Sequence, residues 1–207
     1  MTQDNPYEIF ADEYEAWFSE NHHLFMSEVE AIRRLLPEFE KGIEVGVGTG
    51  LFAQKLGIKE GIEPSSAMRA KAESRGIVVH DAVAEDLPSD NDTYDLVLMV
   101  TVDCFLQDLG LALREIYRVL EANGSLIIAF LDHASPLGEI YDKHKESSPF
   151  YASANFHSAE QMRDILHESK FRVIDSCQTV FDLENRKQDV LSGTGEGVFA
   201  VVLAGKL

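Results

Sequence analysis

Apolar residues recur at two spacings along the chain, and the alternation divides it into helices and strands. Up to Phe39 the spacing is helical. Ile9, Phe10, Tyr14, Trp17 and Phe18 share one face, and Val29, Ile32, Leu35 and Leu36 share another before Pro37 stops the pattern. Helices are therefore expected from Asp4 to Phe39, their aromatic face packing on a core or closing over a site. From Lys41 short β-branched runs take over, and strands are expected at 43–45, 58–63, 77–80, 94–101 and 125–131. Between them, Gly57, Gly76 and Asn123-Gly124 end helices, while Ser65 and Asp108 supply N-caps.

The order is β-α repeated, with strands apolar on both faces. That pattern belongs to a parallel sheet buried between helices. Right-handed crossovers put the carboxyl ends of these strands on one edge. Residues 132–156 break the repeat with Pro136, Tyr141, His144, Pro149, Phe150, Tyr151 and Phe156, and are expected to fold as a helical excursion over that edge. Ser158 and Gln161 form a capping box for a helix to about Ser169. A sixth strand is expected at 171–181 and a seventh at 197–203. Only a polar loop joins them, so they should pair antiparallel. One α/β domain, 1–207, accounts for the whole pattern, with 1–39 as a helical cap and 132–157 as an insertion on the substrate side.

Charge and cysteine content narrow the partners. The net charge of −18 opposes a nucleic-acid backbone, and no basic stripe offsets it. Cys104 and Cys177 fit no metal or redox spacing and suit a reducing compartment. The first ten residues lack a basic segment followed by an apolar one, so no signal peptide is expected. The longest apolar runs are too short to span a bilayer. The expectation is a cytoplasmic, soluble monomer or homodimer, with no nucleic acid, membrane or metal partner.

The chemistry centres on residues 41–56, KGIEVGVGTGLFAQKL, a strand followed by a glycine turn and a helix. Such a turn cradles either a dinucleotide or S-adenosylmethionine. The dinucleotide pattern G-x-G-x-x-G requires glycine where this chain has Leu51, and Gly50 stands one position early. Glu63 also lies closer to the turn than the roughly 20 residues usual for a dinucleotide's ribose acid. Both details favour S-adenosylmethionine over nicotinamide.

Five segments now carry a resemblance. They are 44–50 (EVGVGTG), 61–65 (GIEPS) with Met68, 84–88 (AEDLP), 94–97 (YDLV) and 114–120 (REIYRVL). In this order and spacing the chain resembles small class I S-adenosylmethionine-dependent methyltransferases, of the methyltransferase type 11 and quinone-biosynthesis-like group. The resemblance implies a three-layer Rossmann-like sheet of seven strands in the order 3-2-1-4-5-7-6, with the last strand antiparallel. It implies S-adenosyl-L-methionine as cofactor and a small-molecule acceptor. The cofactor-binding residues would be Tyr14, Glu44, Gly46, Gly48, Gly50, Glu63, Pro64, Ser65, Met68, Ala84, Glu85, Val100 and Thr101. Glu44 would serve the cofactor's ammonium group and Glu63 its two ribose hydroxyls, since a carboxylate offers two acceptor oxygens. Where the family often carries an acid for the adenine amino group, this chain has Val83, with Asp81 or Glu85 as substitutes.

In-line methyl transfer needs positioning and, for a protonated nucleophile, a base. Asp103 follows the fourth strand, His133 the fifth, and Tyr141 lies in the excursion. These three are the catalytic candidates, His133 foremost because its ordinary pKa lies near neutrality. Two other readings share the motifs: a non-catalytic S-adenosylmethionine-binding module, and a nicotinamide-dependent enzyme on a similar fold.

Overall fold

The computed structural model describes residues 6–207; the predicted helix start at Asp4 lies outside them. Three helices come first: α1 (Pro6–Ile9), α2 (Ala11–Glu20) and α3 (His22–Leu35). Then follow β1 (Gly42–Val45), α4 (Leu51–Leu56), β2 (Glu60–Ile62), α5 (Ser66–Ser74), β3 (Val78–His80) and β4 (Tyr94–Val100). The second half holds α6 (Leu109–Val119), β5 (Leu120–Leu131), α7 (Pro136–His144), α8 (Ala159–Glu168), β6 (Phe171–Thr179), β7 (Leu191–Ser192) and β8 (Phe199–Lys206). The strands form one sheet in the order β3-β2-β1-β4-β5-β8-β6-β7. β1 to β5 run parallel, and β8 enters antiparallel between β5 and β6.

The strand period of two splits the core into two layers. Leu96, Leu98, Ile127, Ala129 and Val201 face α3 and α4, while Val97, Met99, Leu126, Ile128 and Val202 face α6 and α8. Each large apolar side chain buried this way contributes roughly 1.5–3 kcal/mol. On α6 the stripe Leu109, Leu113 and Ile116 is fully covered, and Asp108 caps the helix by accepting from the Leu111 N–H. Ser65 caps α5, and the Ser158–Gln161 capping box opens α8.

Two of the resembling segments prove to be one unit. Glu115 accepts the Leu87 N–H, and the Arg118 guanidinium donates to the Leu87 and Ser89 carbonyls and to Asn91. The segment following β3 is thereby tied to α6, which explains why both motifs occur together.

β2 is shorter than the expected 58–63 and β8 runs to Lys206 rather than 203, and three further differences have a structural reason or add a strand. An eighth strand, β7, pairs with Cys177 and Gln178 inside the loop expected to be wholly polar and irregular. β5 begins at Leu120 rather than 125, and the helix before it ends at Val119 rather than at Asn123-Gly124. Leu120 is fully buried and pairs with Tyr94, so its burial pulls the chain out of the helix a turn early. β6 stops at Thr179, because the next residue, Val180, turns to φ +60°.

Gly50 begins α4 with φ +80°, and a Cβ there would stand 2.5 Å from Ile77 Cδ1 and 3.1 Å from Ala72 Cα. Gly50→Ala therefore combines left-handed strain with overlap, a cost of about 1–3 kcal/mol. Calorimetry should show a melting temperature lowered by several degrees; an unchanged value would contradict this account of the turn.

Candidate active site

The carboxyl ends of β1, β2, β4 and β5 open into a cavity of about 1040 Å³, walled on the far side by α2, α3 and α7. One half is made by the glycine turn. Gly46 and Gly48 line it, with Glu63, Pro64 and Met68 after β2, Ala84 and Glu85 after β3, and Val100 and Thr101 after β4. At Gly48 the backbone has φ +53°, and a Cβ built there would meet no atom within 4 Å and would project into open space.

Glu63 is the hinge of this half. Its Oε2 accepts the Gly48 N–H at 3.0 Å and its Oε1 the Ser65 N–H at 2.9 Å, so one carboxylate locks the turn to the start of α5. Burial pushes its pKa up, against those two hydrogen bonds, which push it down. Glu44 lies behind the turn rather than on the cavity wall, only 1% exposed. Burial drives its pKa well above the ordinary carboxylate value, and its Oε2 has no hydrogen-bond partner among the described residues. Thr49 Oγ1 is orphaned in the same way. Buried polar atoms left so are costly. Unpartnered acceptors beneath a bare-backbone cradle suit a ligand that brings a cation and donors, as the ammonium-bearing cofactor does.

Other expected cofactor residues are also placed. Tyr14 lines the cavity, while Gly50 and Ser65 lie outside it and shape the turn and the α5 cap. Val83 lines the cavity, half exposed. The two substitute acids differ, since Glu85 lines the cavity and Asp81 does not. Asp81 pairs with Arg69 at 2.9 Å, and Glu85 Oε1 accepts the Gln107 and Asp108 N–H groups.

The aromatic helix α2 lies across the cradle and is roped to α5. Glu15 pairs with Lys71 at 2.9 Å and with Arg75, and Asp12 pairs with Lys71 at 2.6 Å. Glu8 of α1 accepts from the Ser65 and Ser66 hydroxyls, which hold its pKa down at about 2. Tyr7, Tyr14, Phe105 and Phe150 meet edge to face or tilted over the opening.

The three catalytic candidates separate. Tyr141, on α7, lines the cavity. His133 does not: its Nε2 meets Gln161 Oε1 at 3.2 Å, beside the α8 N-terminus. Asp103 is also off the cavity wall, because it is buried against His157, whose Nδ1 lies 2.9 Å from Asp103 Oδ2. That pair fastens the short 3-10 turn Asp103–Phe105 to the segment before α8. The turn's Phe105 stacks on Tyr151, with ring centroids 6.1 Å apart. Among the described residues no group of three or more His, Cys, Asp or Glu is placed to hold a metal, and no helix is long and apolar enough to cross a membrane.

One cavity residue was not singled out from the sequence. Glu28 sits on the buried face of α3, between Leu24, Val29 and Ile32, and is 9% exposed. A signal was present, because an acid stands where the helical spacing places apolar neighbours. Burial alone pushes its pKa up to about 8. Its charge bears on Tyr14, Tyr141 and Tyr151, all cavity residues. Tyr14 also feels Glu44 and Glu63.

This burial has a consequence for stability. Between its ordinary value of 4.5 and about 8, Glu28 keeps its proton in the folded chain and loses it in the unfolded one. The folded state then binds more protons, so stability falls as pH rises through that window. Glu28→Gln should melt increasingly above wild type as pH is raised from about 5 to about 9; a difference independent of pH would contradict the assignment.

Residues 43–128 match a family described as a methyltransferase domain. An uncharacterized protein of Methanocaldococcus jannaschii is 40% identical over 98% of this chain and 100% of its own length. An uncharacterized protein of Mycobacterium tuberculosis is 32% identical over 88% of this chain and 68% of its own. A crystal structure from Thermotoga maritima superposes with a TM-score of 0.94 at 41% identity, covering 98% of this chain and 99% of its own. That protein is described as an S-adenosylmethionine-dependent methyltransferase and possible histamine N-methyltransferase.

Proposed function

We propose that this chain, which belongs to the S-adenosylmethionine-dependent methyltransferases, transfers the methyl group to a small-molecule acceptor. The observation that carries the acceptor's size is the cavity of about 1040 Å³ walled by α2 and α7. It has room for the cofactor and a compact second molecule, in the range of small-ligand sites. The description of the Thermotoga maritima relative as a possible histamine N-methyltransferase agrees with an acceptor of that size.

When bound, S-adenosylmethionine supplies a methyl group already activated by its sulfonium. The chain supplies position and dryness. Gly46 and Gly48 let the backbone approach the methionine portion, and the start of α4 favours its carboxylate. Glu44 would answer the ammonium group, directly or through water, and Glu63 would take the ribose hydroxyls. Met68, Pro64 and Ala84 would hold the adenine. Tyr14, Val100 and Thr101 would separate the cofactor from the acceptor. The aromatic lid excludes water, which strengthens every polar contact inside.

Glu63→Ala removes the ribose acceptor and the lock on the turn together. Hydrogen bonds to a charged group are worth about 1.5–3 kcal/mol, so calorimetry should show S-adenosylhomocysteine bound at least about tenfold more weakly. Undiminished binding would overturn this placement of the cofactor. Transfer of a labelled methyl group only into protein or nucleic acid, and never into a small molecule, would overturn the acceptor class.

A further inference from the structure

The cavity has an apolar part beside the polar side chains of α7 and the segment after it, among them Tyr141, Ser147, Ser148 and Ser153. Leu24, Leu131, Leu137, Val180 and Val198 form the walls of that part. Glu28 reaches it from α3, and among the described residues its carboxyl has no hydrogen bond and no ion pair. The only influence moving its pKa is burial. The two basic side chains on the same cavity are engaged elsewhere. Lys145 pairs with Asp142 at 3.0 Å and donates to the Ala154 carbonyl, and His144 Nδ1 lies 2.8 Å from the Ile140 carbonyl. A carboxyl buried in this way normally has a partner. Glu28 on the cavity wall is thus available to a group that a ligand brings in.

The surroundings say what kind of partner it is. Tyr14, Tyr141 and Tyr151 each feel the charge of Glu28. Trp17 and Phe18 line the same space. Ring faces attract a cation, and more so when water is excluded. A neutral hydroxyl would give Glu28 one ordinary hydrogen bond and leave it holding its proton, whereas a cation stabilises the ionised carboxylate. A carboxylate or phosphate would be repelled. An ammonium group meets both demands, and the leucine and valine walls fit an apolar body attached to it.

We propose that the acceptor is a small amine on an apolar body, whose ammonium group is bound by Glu28 and gives up its proton to Glu28 before accepting the methyl group. This rests on the small-molecule methyltransferase reading above and specifies its substrate class. Glu28, which burial keeps protonated in the empty pocket, releases that proton to solvent as the ammonium binds; an N–H bond of the ammonium then breaks, its electron pair stays on nitrogen, and the proton goes to the Glu28 carboxylate. The neutral nitrogen then forms the new bond to the methyl carbon while the carbon–sulfur pair returns to sulfur. Glu28 then holds a proton again, as in the empty pocket, and the proton given up on binding is the net release of the turnover. In a dry pocket the ion pair and the neutral amine–acid pair lie close in energy, because both charges are penalised together. Tyr14 and Glu28 line the same cavity as Gly46, Gly48 and Glu63 of the cradle, which brings this exchange to the cofactor.

The test uses the whole chain loaded with S-adenosylhomocysteine. Phenethylamine and hexylamine are titrated by calorimetry near neutral pH, beside phenethyl alcohol and hexanol of the same shape. Wild type should bind the amines about ten- to a hundredfold more tightly than the alcohols. Glu28→Gln should abolish that preference while still binding S-adenosylhomocysteine, which reports that the variant is folded. Alcohols binding as well as amines, no amine binding, or a preference retained by Glu28→Gln would each overturn the proposal. If the variant fails to bind S-adenosylhomocysteine, the amine-to-alcohol ratio of wild type decides alone. Methylation of a thiol or hydroxyl compound with amines ignored would sink the amine assignment and leave the small-molecule reading standing.

Discussion

Two carboxyl groups are buried at the working edge of this sheet with no cation beside them, and the architecture around the cavity depends on that imbalance. Glu44 beneath the glycine turn and Glu28 on α3 both have their pKa values raised, with burial as the leading cause. The chain is not short of pairing where it needs none for binding. On the outside, Glu15 and Asp12 are matched to Lys71 and Arg75, and Asp81 to Arg69. The outer pairs hold the lid helix to α5, while the inner acids are left for what enters. A buried unpaired acid costs the fold stability, and such groups concentrate where ligands bind.

Backbone strain gathers at the same place. Thr101 and Val180 are β-branched residues with φ +52° and +60°, and both line the cavity. Conformations of this kind cost roughly 1–3 kcal/mol each and persist only where neighbours impose them. Thr101 N–H donates to the Ala129 carbonyl and Val180 accepts the Val198 N–H, so the sheet itself imposes both. The cavity floor is thus held by backbone hydrogen bonds at both residues, and the lid helix α2 is fastened by ion pairs to α5.

Much of this was legible in the sequence. The glycine turn, the caps at Ser65, Asp108 and Ser158, and the parallel β-α order are local signals, and the structure carries them unchanged. The choice of cofactor was legible from one position, Leu51, which excludes the dinucleotide pattern; membership of the methyltransferase family agrees and leaves no place for a nicotinamide enzyme. The early end of α6 was not legible, because Leu120 leaves the helix to pair with Tyr94 across the sheet. The partners of Asp103 and His133 were not legible either. His157 and Gln161 are distant in sequence, and only the packing of α8 shows that they occupy the two candidate side chains. Glu28 was readable as an acid on an apolar face. Its meaning depended on α7 and β6 supplying the walls around it.

The central claim is that Glu44, a carboxyl whose pKa burial raises, answers the cofactor's cation from beneath the cradle. Calorimetric titration of wild type with S-adenosylhomocysteine, repeated near neutral pH in buffers of differing ionisation enthalpy, reads proton exchange directly. The account predicts release of protons on binding, because Glu44 ionises when the ammonium group reaches it, and predicts that Glu44→Gln abolishes the release. Heats that do not vary with buffer in wild type, or a release undiminished in Glu44→Gln, would contradict it.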